Sequence, residues 1–451
     1  MKIELRHVPT PVFETAEQQP AISAAEYQLR CDAFYEAAGV DWLVVYADRE
    51  HAGNVHFLTG FDPRFEEALV VLGPNKARSL VVGNEGIVYA PIVGFDIDVV
   101  LAQSFSLMGQ PRQKAPRLDS ILAELGITSG QSVGVVGWKY LEEFEGGHPD
   151  VPAFVPAFLL EAIERVSGTQ PRDVTQVVMN PQSGLRNIVT AEQIAAWEYA
   201  AVESARSIFG ILHKTKPGLT EFEAVKGMDH QGLPLSVHPM YSTGSGAING
   251  LRSPTARKIE HGDGVTTALG YAGGLTCRAG VIAEDDPEFF EQVGVPYFRA
   301  IATWYANVGI GVKGGDLWQK IEDALADVEF RPLVNPGHLI AHEEWTHTPL
   351  REGSEDVLTS GMAIQCDIIP YPLPEGWALD AEDGIALADA ELRADIEQNF
   401  PKLWHRIQQR REFMKNQLGI ELREEVMPLS PTCGYLAPFW LRPEQVFVVS
   451  K

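Results

Sequence analysis

Four short apolar runs dominate the first third of this chain, at residues 42–46, 68–72, 80–82 and 133–137, and Gly, Pro and Asn turns separate them. Runs this short, bounded by turn formers, read as strands of a sheet. Helices are predicted between them. Ser23-Ala24-Ala25-Glu26 has the spacing of a capping box, and the apolar positions after it recur at helical spacing through Ala38. Further helices are predicted over 117–125 and 154–166. The alternation predicts an α/β domain over residues 1–175.

The pattern changes near Thr190. Thr190-Ala191-Glu192-Gln193 opens an amphipathic helix that runs to about His213, and Lys216-Pro217-Gly218-Leu219-Thr220-Glu221 stops it and caps the next. Helices are predicted over 289–307, 316–326 and 393–418, and strands over 265–270, 274–282, 362–369, 382–388 and 445–449. Helices and antiparallel-looking strands mix here without strict βαβ alternation, which predicts an α+β domain over 176–451.

The composition narrows the function classes. With 451 residues, 45% of them apolar and 22% charged, the chain is long enough for two or three cores. A net charge of −25 repels phosphate backbones and anionic lipid, so neither nucleic acid nor a membrane surface is an expected partner. No window approaches the roughly 18 apolar residues of a spanning helix. The first residues have no apolar signal core, so a cytoplasmic location is expected. Cys31, Cys277, Cys366 and Cys433 lie far apart with no Cys-x-x-Cys pair, which argues for buried thiols over a zinc knot or a disulfide framework.

The stretch His261-Gly262-Asp263-Gly264-Val265-Thr266-Thr267-Ala268-Leu269-Gly270 carries the sharpest signal. It resembles a strand of the creatinase, prolidase, aminopeptidase P and methionine aminopeptidase superfamily. There, Gly-Asp-x-Val-x-x-Asp-x-Gly supplies the first carboxylate of a two-metal centre. Other anchors follow in order: Asn54-Val55-His56-Phe57-Leu58-Thr59-Gly60-Phe61, Leu185-Arg186 with Thr190, Glu192 and Ile194, and Pro217-Gly218-Leu219-Thr220-Glu221. The resemblance implies a creatinase-like α/β amino-terminal domain, a pita-bread catalytic domain, a small-molecule substrate and a homodimer.

Carried over position by position, the same resemblance implies a degenerate site. The family's first two carboxylates fall on Ala268 and Ala279, and its substrate-binding histidine falls on Leu251. His338 and His342 match the Gly-His…His-Glu segment, Asp367 stands where the family has Glu, and Glu382 carries over directly. Removing two of four carboxylates leaves too few ligands for a dinuclear centre. The expectation is therefore a metal-independent, creatinase-like enzyme that hydrolyses a C–N bond with no cofactor.

In that reading His338 or His342 is the general acid/base, with Glu343 orienting it. Asp367 and Glu382 bind the substrate, and Arg278, His347 and Arg351 are further substrate-side candidates. Plainer roles stand beside these: Arg278 on the outer face of its strand, Glu343-Glu344 as a solvated acidic turn, Arg351 in a surface salt bridge, and Cys277 as a small buried hydrophobe. Gly244-Ser245-Gly246 offers amides for an anion or an ordinary turn. Two rivals remain. One is a mononuclear Xaa-Pro aminopeptidase or prolidase-type hydrolase whose one divalent transition metal sits on His338, Asp367 and Glu382. The other is a non-catalytic pita-bread binding protein.

Overall fold

Short apolar runs pair into sheets, and capped amphipathic helices cover them. A computed structural model describes residues 1–148, 151–244 and 250–450, so Ser245 and Gly246 of the predicted anion turn lie outside the described residues. The chain divides into two compact units, residues 22–187 and residues 1–21 with 188–451.

In the unit of residues 22–187, a six-stranded sheet runs in the order Asp98–Leu101, Ala77–Val82, Ala68–Gly73, Trp42–Ala47, Val133–Val136, Arg172–Asp173. The predicted runs form its centre, and Trp42–Ala47 and Ala68–Gly73 are buried at every position. The helix Ala24–Ala38 starts where Ser23 Oγ accepts the Glu26 N–H at 3.2 Å and stops at Gly39, whose φ is 60°. The unit extends beyond residue 175, where the sequence reading ends it. Thr175 Oγ1 accepts the Gly137 N–H at 2.9 Å, and Arg186 Nη1 donates to Asn54 Oδ1 at 2.7 Å, so the chain through residue 187 is bonded back.

The other unit takes in the amino terminus, because Lys2–His7 pairs antiparallel with Gln445–Ser450 along its whole length. Its main sheet has eight strands among the described residues. We number them β1 (Leu235–Thr243), β2 (Gly264–Tyr271), β3 (Gly274–Val281), β4 (His338–Ala341), β5 (Glu344–Trp345), β6 (Ala363–Cys366), β7 (Asp380–Leu387) and β8 (Val426–Pro428). The order is β5-β4-β6-β7-β3-β2-β1, with β8 also pairing with β7. The β2–β3 register is set by a tight turn in which Gly273, at φ 85°, packs against Trp197. A Cβ there would come within 1.9 Å of the indole.

Two helices back this sheet, α1 (Ala191–Lys214) and α2 (Val295–Asn307). Helix α1 carries Glu198 into the interior, where Arg406 binds it at 2.8 Å through two nitrogens and Arg410 joins the pair. Buried charges are tolerable only when paired in this way.

Two predicted helices differ in detail. The stretch 289–307 contains a π turn at Phe290–Gly294, just before Pro296, which has no N–H to give. The charged stretch 393–418 is two helices, Ala390–Asn399 and Pro401–Asn416, because Pro401 cannot continue the first. Among the described residues, no helix is long and apolar enough to cross a membrane.

Candidate active site

Strand periodicity decides which side chains meet. Across β3 and β7, Cys277 faces Glu382 and Ala279 faces Asp380, and across β2 and β3, Ala268 faces Cys277. Directly opposed residues share a face of the sheet. That face lines a cavity of about 260 Å³, whose wall includes Ala268, Cys277, Ala279, Glu344, Asp367, Asp380 and Glu382. Its apolar side is formed by Val237, Met240, Leu251, Leu275, Val334, Trp345 and Ile369. Leu251, where the sequence resemblance places a substrate-binding histidine, is 70% exposed.

The acidic floor is tightly bonded. Cys277 Sγ–H donates to Asp380 Oδ2 at 3.0 Å, and the Tyr297 hydroxyl donates to Asp380 Oδ1 at 3.3 Å while accepting the Ala381 N–H at 2.8 Å. Asp380 and Glu382 hydrogen-bond each other. Two carboxylates so close must hold a proton between them, unless a cation replaces it. Asp367 adds a third carboxylate, 5% exposed, and its Oδ1 has no hydrogen-bond partner among the described residues.

The electrostatics follow from this crowding. Burial pushes the Asp367 carboxyl up to about 8; His338 opposes the shift, while Asp380 and Glu344 add to it. Glu382 is raised well above the usual carboxylate range by burial and by the charges of Asp367, Asp380 and Glu344. Burial likewise raises Asp380 and holds the Cys277 thiol well above its ordinary value.

His338 stands behind this floor, 1% exposed and stacked on Trp345 at a centroid distance of 4.2 Å. Its Nδ1–H donates to the Leu339 carbonyl at 3.2 Å. Its Nε2 lies 2.7 Å from Glu344 Oε1, a close ion-pair contact that is off-axis for a hydrogen bond. Burial is the strongest single influence and pulls its pKa down, but Glu344, the Asp367 charge and the Leu339 carbonyl together outweigh it and leave it raised. Both ring nitrogens face oxygens, which favours the imidazolium. Glu344 reaches this place with φ at 87°, a left-handed backbone that a non-glycine residue seldom adopts.

The predicted site residues separate into two groups. Asp367 and Glu382 line the cavity, and His338 reaches it through Glu344. His342 and Glu343 form the two-residue turn between β4 and β5 and are not part of the wall. Arg278 points away from it: its guanidinium binds Asp383 at 2.8 Å and the carbonyls of Cys277, Glu382, Thr432 and Tyr435. It therefore cannot stand in for a cation in the cavity. His347 Nδ1 accepts the Thr348 N–H at 2.8 Å, and Arg351 pairs with Asp356 at 3.0 Å, so neither belongs to the wall.

A two-ion centre does not fit these residues. The cavity-facing positions of β3 are Leu275, Cys277 and Ala279, and Ala268 faces the cavity from β2, so no carboxylate comes from that hairpin. The triad His338, Asp367 and Glu382 does not converge either, because His338 Nε2 is turned onto Glu344. A single ion does fit. The ligand atoms of Cys277, Asp380 and Glu382 all lie within 4.8 Å of one another, and the unpartnered Asp367 Oδ1 is on the same wall.

Sequence reasoning missed Asp380, Glu344 and Tyr297. The first had a signal: Asp380-x-Glu382 on a strand puts both carboxylates on one face. Glu344 had none, since its direction depends on an unusual φ.

No family model and no curated protein matches the sequence. Solved structures do match. An Xaa-Pro dipeptidase from Bacillus anthracis superposes with a TM-score of 0.62 at 18% identity, over 82% of this chain and 96% of that one. An X-Pro aminopeptidase from Thermotoga maritima MSB8 gives 0.63 at 17% identity, over 80% and 95%. A prolidase from Pyrococcus horikoshii OT3 gives 0.62 at 16% identity, over 80% and 95%. The chain thus has the pita-bread fold of these dipeptidase, aminopeptidase and prolidase structures.

Proposed function

We propose that this chain hydrolyses a C–N bond in a small peptide-like substrate with one divalent metal ion, in the manner of an Xaa-Pro dipeptidase or aminopeptidase. One observation carries the reading. Three buried carboxylates and a thiol converge in a cavity, and the cations whose charges bear on them, His338 and Arg278, are already paired with Glu344 and Asp383. Such a floor is stable with protons or with a cation, and the raised carboxyl groups show how costly its bare charge is. The metal-free expectation from the sequence gives way here because it counted Asp367 and Glu382 without Asp380 and Cys277.

An ion held on this floor would supply Lewis-acid polarisation of the scissile carbonyl. Asp367, Asp380 and Glu382 would neutralise it and fix its place. Glu344, the acid/base group that reaches the cavity, takes a proton from the attacking water and returns it to the leaving amine. The buried His338 holds the Glu344 carboxylate in place and balances its charge. The cavity holds about eight or nine waters at roughly 30 Å³ each, so it suits a dipeptide-sized molecule. Trp345, Val334 and Leu251 offer an apolar surface for its side chains.

The test is a panel of Xaa-Pro dipeptides and small amides assayed with purified protein, before and after chelation. Release of the amine that stops on chelation and returns with zinc or cobalt supports the proposal, and a panel with no turnover sinks it. A second reading has its own observation: the Cys277–Asp380 hydrogen bond satisfies the thiol without an ion. It is a creatinase-like, metal-independent hydrolase, and turnover unaffected by chelation would establish it.

A further inference from the structure

We propose that Cys277 is a metal ligand, forming with Asp380, Glu382 and Asp367 a thiolate–carboxylate site for a borderline transition ion such as zinc or cobalt. The proposal rests on the single-ion reading above and deepens it by naming the donor set. Two independent features point to it. The first is convergence. Cys277 Sγ and carboxylate oxygens of Asp380 and Glu382 lie within 4.8 Å of one another. That is the order of separation spanned by two bonds of about 2.0–2.3 Å to a common ion. The second is the Asp367 carboxylate, whose Oδ1 is buried against the same cavity without a partner. Buried polar atoms ordinarily take a partner, and an ion held on this floor would give Asp367 one.

Two of the chain's three other thiols set Cys277 apart. Cys31 donates to the Leu58 carbonyl and Cys433 to the Gly384 carbonyl, as ordinary buried cysteines do. Cys277 instead aims its proton at a carboxylate that itself faces the cavity. When an ion enters, the thiol proton leaves to solvent, a sulfur–metal bond replaces the S–H···O contact, and no oxidation state changes. The replacement also sets the metal. A thiolate donor favours zinc, cobalt or iron over magnesium, calcium or manganese, which all-oxygen floors accept. Ala268 and Ala279 offer no donor to their side of the cavity, whereas Cys277 and Asp380, directly opposite them in the register, do.

The experiment uses the full chain, stripped with chelator and titrated with cobalt chloride. Thiolate-to-cobalt charge-transfer absorption and bound cobalt by dialysis are followed together. The wild type should saturate at one cobalt per chain with the charge-transfer band. Cys277→Ser and Cys277→Ala should lose the band and bind cobalt about tenfold or more weakly, with unchanged far-ultraviolet dichroism. Asp367→Asn should keep the band at reduced affinity. Stoichiometric cobalt without the band, a band that survives Cys277→Ser, or no cobalt binding overturns the proposal. Hydrolysis is scored separately. A cobalt–thiolate band without turnover keeps this site and removes the hydrolase reading, whereas turnover without the band does the reverse.

Discussion

Asp367→Asn should make the metal-free protein more stable, although it alters the candidate site. The substitution keeps the shape and removes a charge that folding holds in a costly place. Burial raises the Asp367 carboxyl from 3.8 to about 8. The sign follows from linkage. A folded pKa above the unfolded one gives stability that is fully present below the unfolded value and is lost as pH rises through the folded value. In the wild type that loss runs from about pH 4 to about pH 8. At about 1.4 kcal/mol per unit over the roughly three units up to neutral pH, it amounts to about 4 kcal/mol. Asparagine does not ionise, and its amide can donate to the neighbouring carboxylates. With about 2–4 °C in Tm per kcal/mol for a unit of this size, the variant should melt roughly 8–16 °C higher at neutral pH. Scanning calorimetry of chelated protein at about pH 5 and about pH 8 tests this, with the gap widening at the higher pH. A gap that stays constant with pH, or a variant less stable at the higher pH, would refute the reasoning.

Three further outcomes are expected. Glu344→Gln should lower the maximal rate on any accepted substrate by about a hundredfold and should also lower Tm, because the buried His338 imidazolium loses its counter-charge; a variant that loses stability but keeps its rate would make Glu344 structural. Arg278→Ala strands the buried Asp383 carboxylate and should cost about 3–5 kcal/mol of stability by denaturant titration. A stable Arg278 variant with failed substrate binding would instead return Arg278 to the cavity. Adding zinc to chelated wild type should raise Tm, and Asp380→Asn should blunt that rise, because it removes a ligand oxygen; an unchanged rise would remove Asp380 from the site.

The legible parts of this molecule were those written in local pattern. The runs at residues 42–46 and 68–72 became central strands because a short apolar run between turns can hardly do otherwise. Ser23 and Thr220 capped helices where their spacing placed them. Pairing across β3 and β7 was not local. It put Asp380 beside Cys277 and turned Arg278 outward, and no periodicity within either strand reveals that register. His338 was legible as a chemical group but not in its role, since Glu344 captures it through a backbone angle that the sequence does not encode. That Ala268 and Ala279 carry no ligand atom was visible in the sequence, whereas the donors opposite them, Cys277 and Asp380, come together only once the strands are laid side by side.

The central claim is that one metal ion per chain supports C–N hydrolysis in this cavity. Elemental analysis of the purified protein, paired with turnover before and after chelation, tests it most directly. The account predicts about one equivalent of a transition metal per chain, with hydrolysis lost on chelation and restored by zinc or cobalt. Two tightly held equivalents per chain, or undiminished turnover by metal-free protein, would contradict it.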